Sequence, residues 1–95
     1  MIDVKVRNGC IEVTGHARHG PPGQDIVCAG ATTLTQTLIY SIEKLTEDVI
    51  SCKVESGNVK IRYKNLSEKS KTLVDSFFIG MCALAEEFPE NIRIV

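Results

Sequence analysis

The chain has 95 residues, of which 43% are hydrophobic and 24% are charged. This length and composition predict one globular domain that spans residues 1–95 around one modest core. Its 11 basic residues stand against 12 acidic ones, and the net charge of -1 excludes a generally basic surface for nucleic acid. Aromatic residues make up 5% of the chain, too few for base-stacking platforms.

No stretch approaches the roughly 18 apolar residues of a membrane span. The N-terminal residues 1–5 alternate polar and apolar side chains, unlike a signal peptide. We therefore expect a cytosolic protein with reduced thiols. The cysteines are widely and irregularly spaced, which favours neither a disulfide scaffold nor a zinc site, and no cofactor is expected. They are Cys10, Cys28, Cys52 and Cys82.

Two strands joined by a tight turn are predicted at the N-terminus. Residues 2–7 alternate apolar and polar side chains, and Asn8-Gly9 favours a two-residue hairpin turn. This turn predicts a register with apolar pairs on one face and a charged pair on the other: Val6 with Ile11, Val4 with Val13, and Lys5 with Glu12.

A helix is predicted next, because apolar residues recur at steps of three and four. The stripe comprises Val27, Ala31, Leu34, Leu38, Ile42 and Leu45. Asp25 can cap the first turn. Four threonines between residues 32 and 37 have poor helix propensity, so packing of the stripe must stabilise this helix.

A second hairpin is predicted over residues 49–63, with one apolar face. A turn at Gly57-Asn58 places Glu55 opposite Lys60, whereas a turn at Ser56-Gly57 places Lys53 opposite Lys60. Because like charges in direct opposition destabilise a sheet, we prefer the first register.

The C-terminal part contains a second predicted helix, over residues 67–88, and a last short strand over residues 91–95. The helix has an apolar stripe of Leu73, Phe77, Met81, Leu84 and Phe88, and Pro89 ends it. The order ββαββαβ predicts an α+β two-layer sandwich, in which two helices pack on a mixed, mostly antiparallel sheet. Cys52 and Cys82 are expected in or near the core.

The segment from residue 15 to residue 34 does not follow this pattern of elements joined by short connections. A loop rich in glycine and proline separates the second strand from the first helix. Surface loops of this kind commonly carry function. Gly20 and Gly23 would let the loop move over a bound peptide.

Cys28 is the candidate nucleophile in this segment. If Asp25 is the cap, Cys28 is the third helical residue, where exposed N–H groups and the helix dipole favour a thiolate. Free cysteine is also among the most buried residue types. Two interpretations therefore stay open from the residues alone, a reactive thiol and a small core side chain.

A nucleophilic cysteine needs a base within hydrogen-bond reach. His16, at the end of the second strand, could face the helix start, and we prefer it to His19, which lies within the loop. The N–H groups of the turn at Cys28 could hold the oxyanion of a tetrahedral intermediate. Asp25 has two open roles, as the helix cap, which we prefer, and as a group that orients His16.

The sequences Gly15-His16-Ala17 and Gly23-Gln24-Asp25-Ile26-Val27-Cys28-Ala29 resemble the signature of the ribosomal-processing cysteine protease family, Prp. The resemblance extends over nearly the whole chain. It implies a dyad of Cys28 and His16 in a cytosolic homodimer. It also implies a protein substrate, the N-terminal extension of large-subunit ribosomal protein twenty-seven, which is cut after an aromatic-rich leader.

Thr32 departs from the family pattern, which often has serine four residues after the cysteine. A hydroxyl remains there and can make a polar contact, and we expect a substrate pocket that differs from the family's. The alternatives are the same chemistry on a viral capsid or scaffold protein, and a non-enzymatic module for ribosome assembly. RNA binding is disfavoured by the charge balance and the low aromatic content.

Overall fold

In the computed structural model, which describes residues 1–95, the elements follow the predicted order ββαββαβ. They are β1 (Ile2–Arg7), β2 (Cys10–Gly15), α1 (Ile26–Leu45), β3 (Ser51–Glu55), β4 (Asn58–Arg62), α2 (Glu68–Glu87) and β5 (Ile92–Ile94). The strands form one sheet in the order β3-β4-β2-β1-β5. Strands β1 and β5 are parallel, and all other neighbours are antiparallel. The predicted α+β sandwich with a mixed, mostly antiparallel sheet is confirmed.

The first hairpin has the predicted register. Val4 pairs with Val13, and Lys5 pairs with Glu12. Gly9 has a positive φ of 89°, as a tight turn between two strands requires. The turn residues and the alternation of apolar and polar residues therefore predicted the register that the structure has.

The second hairpin has the register that we did not prefer. Lys53 lies opposite Lys60, and the turn is Ser56-Gly57 with Gly57 at φ 70°. The charge argument failed because each lysine has an acidic neighbour outside the opposed pair. Lys60 is opposite Glu12 of β2, and the Lys53 ammonium lies 3.6 Å from the Glu55 carboxylate. Each lysine therefore has a carboxylate near it although the two lysines are opposed.

The core lies between one face of the sheet and the two helices. The strands contribute Ile2, Val4, Ile11, Val13, Ile61 and Ile92. The helices contribute Val27, Ala31, Leu38, Ile39, Ile42, Val74, Phe77 and Met81. Full burial of one such large side chain contributes about 1.5–3 kcal/mol. This packing explains how α1 forms despite its threonines.

Two predicted core positions are wrong. Leu45, the last residue of α1, is 59% exposed. Thr35 and Ile39, which the predicted stripe did not include, are buried. The Thr35 hydroxyl donates to the Ala31 carbonyl oxygen at 2.7 Å, which satisfies it inside the core. Cys52 is exposed on the edge strand β3.

The helices begin and end near the predicted positions. Asp25 caps α1, and the Ser67 hydroxyl caps α2 by accepting from the Ser70 N–H. Neither helix is both long enough and apolar enough to cross a membrane.

Candidate active site

Cys28 is the third residue of α1, as predicted, and its side chain is half-buried. The helix begins there because one carboxylate oxygen of Asp25 accepts from the N–H groups of Val27 and Cys28, each at 3.0 Å. These bonds satisfy donors that a helix start otherwise leaves unpaired. The predicted capping role of Asp25 is confirmed.

The second carboxylate oxygen of Asp25 holds the preceding loop. It accepts from the N–H groups of His19 at 2.8 Å and Gly20 at 3.4 Å. Desolvation raises the pKa of this carboxyl, but the backbone N–H donors together outweigh it and lower the pKa to about 2. None of the hydrogen bonds of Asp25 reaches His16, so its contacts support the cap and not the orienting role.

His16 directly follows β2, and its imidazole lies against the turn of the second hairpin. A Cβ atom on Gly57 would stand 2.5 Å from Nε2 of His16. The Gly15 N–H donates to the Gly57 carbonyl oxygen at 2.8 Å and ties the two segments together. Gly57 therefore serves two purposes, because its positive φ makes the turn and its missing side chain leaves room for the ring.

His16 and Cys28 line the same cleft, which has a volume of about 420 Å³. One wall is the face of α1 that carries Thr32, Gln36 and Ile39, and the other is the hairpin segment 54–59. Buried residues Ile2, Val13 and Ala31 lie at its base. The cleft therefore offers an apolar base beside an imidazole and a thiol.

The N–H group that reaches the sulfur belongs to Ala17. It donates to Sγ of Cys28, with 3.4 Å between nitrogen and sulfur. The N–H groups of Val27 and Cys28, at the turn that we considered as a place for an oxyanion, donate to Asp25. The sulfur thus receives its backbone donor from the residue that follows His16.

His19 lies away from this cleft. Its ring packs edge-on against Phe88, with 5.1 Å between ring centroids. Its Nδ1 atom is 3.3 Å from Oδ1 of Asn91. Of the two histidines, the structure brings His16 to the cleft of Cys28, in agreement with our preference.

The remaining predicted residues are divided between the cleft and the loop. Thr32 lines the cleft one helical turn after Cys28. The Gly20 N–H donates a hydrogen bond to the Asp25 carboxylate, and Gly23 lies in the exposed part of the loop. No three side chains of the metal-ligating types lie close enough together to hold a metal ion.

Two residues beside the site had no local signal in the sequence. Gly57 reaches His16 through the pairing of β2 with β4, and Asn91 reaches Ala17 from 74 residues away. The glycine could be recognised as a turn residue, but its neighbour could not. Asn91 had no distinguishing pattern at all.

Comparison with known proteins places these features in a family. A family model described as cysteine protease Prp matches residues 1–93. The ribosomal processing cysteine protease Prp of Staphylococcus aureus strain Mu50 is 31% identical over 83 residues. That alignment covers 84% of this chain and 78% of the relative.

Solved structures give the same result. S. aureus Prp in complex with a covalently linked product peptide superposes with a TM-score of 0.88 at 27% identity, over 98% of this chain and 94% of that one. S. aureus Prp in complex with a substrate peptide gives a TM-score of 0.78 at 25% identity, over 99% of this chain and 95% of that one. The chain therefore belongs to the Prp family and is a cysteine protease.

Proposed function

We propose that Cys28 is the nucleophile of this protease and that His16 is its general base. The observation that carries the proposal is the shared cleft, into which the β2 end and the α1 start bring one imidazole and one half-buried thiol. The Ala17 N–H at the sulfur supports it, because a hydrogen-bond donor favours the thiolate over the thiol.

The proposed reaction is acyl transfer followed by hydrolysis. His16 takes the proton of the Cys28 thiol, and the thiolate attacks the carbonyl carbon of the scissile peptide bond. The tetrahedral intermediate collapses when His16 returns the proton to the leaving amine. Water, deprotonated by His16, then attacks the thioester and releases the carboxyl product, which regenerates the thiol.

The proposed substrate is the N-terminal extension of large-subunit ribosomal protein twenty-seven. The relatives are named for ribosomal processing, and one solved relative carries a substrate peptide. The cleft of this chain supports a leader with apolar side chains, because Ile39 and the exposed Val54 lie on its two walls above an apolar base. Thr32 would contact the peptide, and Gly20 and Gly23 would let the loop close over it.

We further propose that residues 1–95 act as one protease domain, without a cofactor, in a cytosolic homodimer that does not bind nucleic acid. The homodimer and the cytosolic location follow from the resemblance to the Prp family. The near-balanced charge of the chain supports the absence of nucleic-acid binding.

The test is cleavage of a synthetic peptide that spans the leader junction, followed by mass spectrometry. Cys28→Ala should give no product. His16→Ala should slow cleavage by about 10²–10⁴-fold, the usual contribution of a general base. Thermal melting should show both variants folded.

Two control variants match these changes. Cys52→Ala removes an exposed thiol whose pKa is raised, mainly by desolvation and further by Glu43, and it should cleave at the parental rate. His19→Ala removes the other imidazole and should lose less than about tenfold in rate. Product formation by folded Cys28→Ala would overturn the assignment of the nucleophile.

A further inference from the structure

Ala17 is held at both of its backbone polar groups. Its N–H donates to Sγ of Cys28 at 3.4 Å, and its carbonyl oxygen accepts from Nδ2 of Asn91 at 3.0 Å. The residue is 2% exposed, so water does not compete freely for either group. Asn91 lies in the connection between α2 and β5 and does not line the cleft.

The same asparagine also contacts the residue on the other side of Arg18. Its Oδ1 atom lies 3.3 Å from Nδ1 of His19. Arg18, between the two contacts, has a φ of 56°, in the left-handed region that residues other than glycine seldom adopt. A backbone of this kind persists where both flanking residues are fixed, and Asn91 contacts both.

The Ala17 N–H matters because the alternative donors are occupied. The N–H groups of Val27 and Cys28 donate to the Asp25 carboxylate, so the helix start does not offer them to the sulfur. Other titratable groups at the cleft are His16 and Glu55, and α2 contributes none. Of these backbone N–H groups, only that of Ala17 donates to the Cys28 sulfur.

We propose that Asn91 is a positioning residue of this protease, whose amide NH₂ group fixes Ala17 so that the Ala17 N–H points at the Cys28 sulfur. The inference rests on the proposed role of Cys28 as nucleophile. Asn91 itself does not touch the substrate. It acts through Ala17 on the ionisation of the thiol, and through the adjoining peptide on the place of His16.

The test is the rate at which iodoacetamide labels Cys28 as a function of pH, read by mass spectrometry of the peptide that contains it. Asn91→Leu removes the NH₂ donor at similar size. We expect its labelling rate near neutral pH to fall about tenfold, because the sulfur loses an oriented hydrogen-bond donor. At alkaline pH, where every thiol is ionised, the rate should equal that of the parent. The kcat for the leader peptide should fall with KM nearly unchanged.

Asn91→Asp is the second variant, because it keeps size and polarity but replaces the donor by an acceptor. It should lose labelling near neutral pH in the same way. Asn65→Asp, an exposed position after β4, makes the same chemical change away from the cleft and should match the parent. Circular dichroism and melting temperature identify any variant that does not fold.

A folded Asn91→Leu or Asn91→Asp whose labelling profile superposes on that of the parent would overturn the inference. Failure of the proposed function is seen separately. If Cys28→Ala still cleaves the leader peptide, Cys28 is not the nucleophile, yet the labelling profile still reports whether Asn91 controls its thiol.

Discussion

The two ends of the sheet contain the same two features, a glycine in a hairpin turn and a carboxylate at the start of a helix. The cleft end is where Gly15 pairs with Ile2, and the opposite end is where Arg7 pairs with Cys10. Each end has a hairpin turn with a glycine at positive φ, Gly57 at the cleft end and Gly9 at the opposite end. Each also has a carboxylate at the start of a helix. Asp25 serves α1 at the cleft end, and Asp48 serves α2 at the opposite end by bonding its cap residue.

At the opposite end, the Gly9 carbonyl group and the Asp48 carboxylate both accept hydrogen bonds from residues that lie beside them in the fold. The Gly9 carbonyl oxygen accepts from the Tyr63 N–H at 3.1 Å. Asp48 accepts from the N–H and the hydroxyl of Ser67 at 3.0 and 2.7 Å. Hydroxyl groups of Ser70 and Ser67, together with the Ser67 N–H, lower the pKa of Asp48. The free thiol beside Gly9, that of Cys10, lies 3.9 Å from Oε1 of Glu12.

At the cleft end, the same two features lie beside side chains that line the cleft. Gly57 borders an exposed imidazole, and Asp25 holds the turn that carries a half-buried thiol. We therefore expect a turn glycine or a helix cap to contribute to function where its neighbour is one of the proposed catalytic side chains. Paired substitutions at the two ends can therefore separate stability from catalysis.

The largest difference is expected for Gly57→Ala against Gly9→Ala. Both place a side chain at positive φ, which destabilises the fold by about 1–2 kcal/mol. At Gly57, the new Cβ would also stand 2.5 Å from Nε2 of His16 and must displace the ring. A misplacement of about 1 Å can cost about 10²-fold in rate, so we expect kcat/KM to fall by that factor in Gly57→Ala alone.

Leader-peptide kinetics and urea unfolding of both variants provide the measurement. At Gly9, the nearest atom to a new Cβ is the Tyr63 carbonyl oxygen at 3.3 Å, far from the cleft. Equal losses of kcat/KM in the two folded variants would contradict a specific role for Gly57 beside His16.

The parts of the fold that the sequence predicted are those decided by near neighbours along the chain. Asn8-Gly9 and the alternation around it determine the first hairpin, and Asp25 determines the start of α1. The second hairpin was predicted with the wrong register because Lys60 has a partner on β2 that no local pattern reveals.

The site divides in the same way. The predicted cysteine and histidine share one cleft, since each lies at the end of an element that could be placed from periodicity. The contacts of Ala17 with Asn91 and of His16 with Gly57 depend on how distant segments pack. Local rules could not supply them, because a single asparagine or glycine carries no information about its distant neighbour.

The second pair of variants, Asp25→Asn and Asp48→Asn, tests the two carboxylates through pH. Both pKa values are held below the ordinary 3.8 in the folded protein, that of Asp25 at about 2. Each carboxylate therefore adds stability above about pH 4 that is lost at lower pH, and for Asp25 the loss extends toward pH 2. Asparagine does not titrate, so the stability difference between parent and variant should shrink over this range in urea unfolding.

Activity should distinguish the two ends near neutral pH. Asparagine still caps a helix, so both variants should fold. Asp25→Asn should lower kcat/KM several-fold, because the loop at His19 and Gly20 loses the charge on its acceptor. Asp48→Asn should leave kcat/KM unchanged. A parental kcat/KM in Asp25→Asn would show that its bonds to the loop serve stability only.

The smallest expected effect tests how far the cleft extends along α1. Thr32 lines the cleft, whereas its neighbour Thr33 faces the groove against α2, and both side chains are exposed. If the Thr32 hydroxyl bonds the peptide, Thr32→Val removes one hydrogen bond of about 1 kcal/mol and should raise KM about fivefold. Thr33→Val makes the same change on the other face and should not alter KM.

Thr32→Ser completes this comparison, because it keeps the hydroxyl and removes the methyl group. A KM close to that of the parent in Thr32→Ser, with a raised KM in Thr32→Val, would assign the effect to the hydroxyl group. Raised KM values in both would indicate instead that the methyl group packs against the peptide. Since Thr32 lies one turn beyond Cys28, either result extends the peptide-binding surface from the proposed nucleophile along α1.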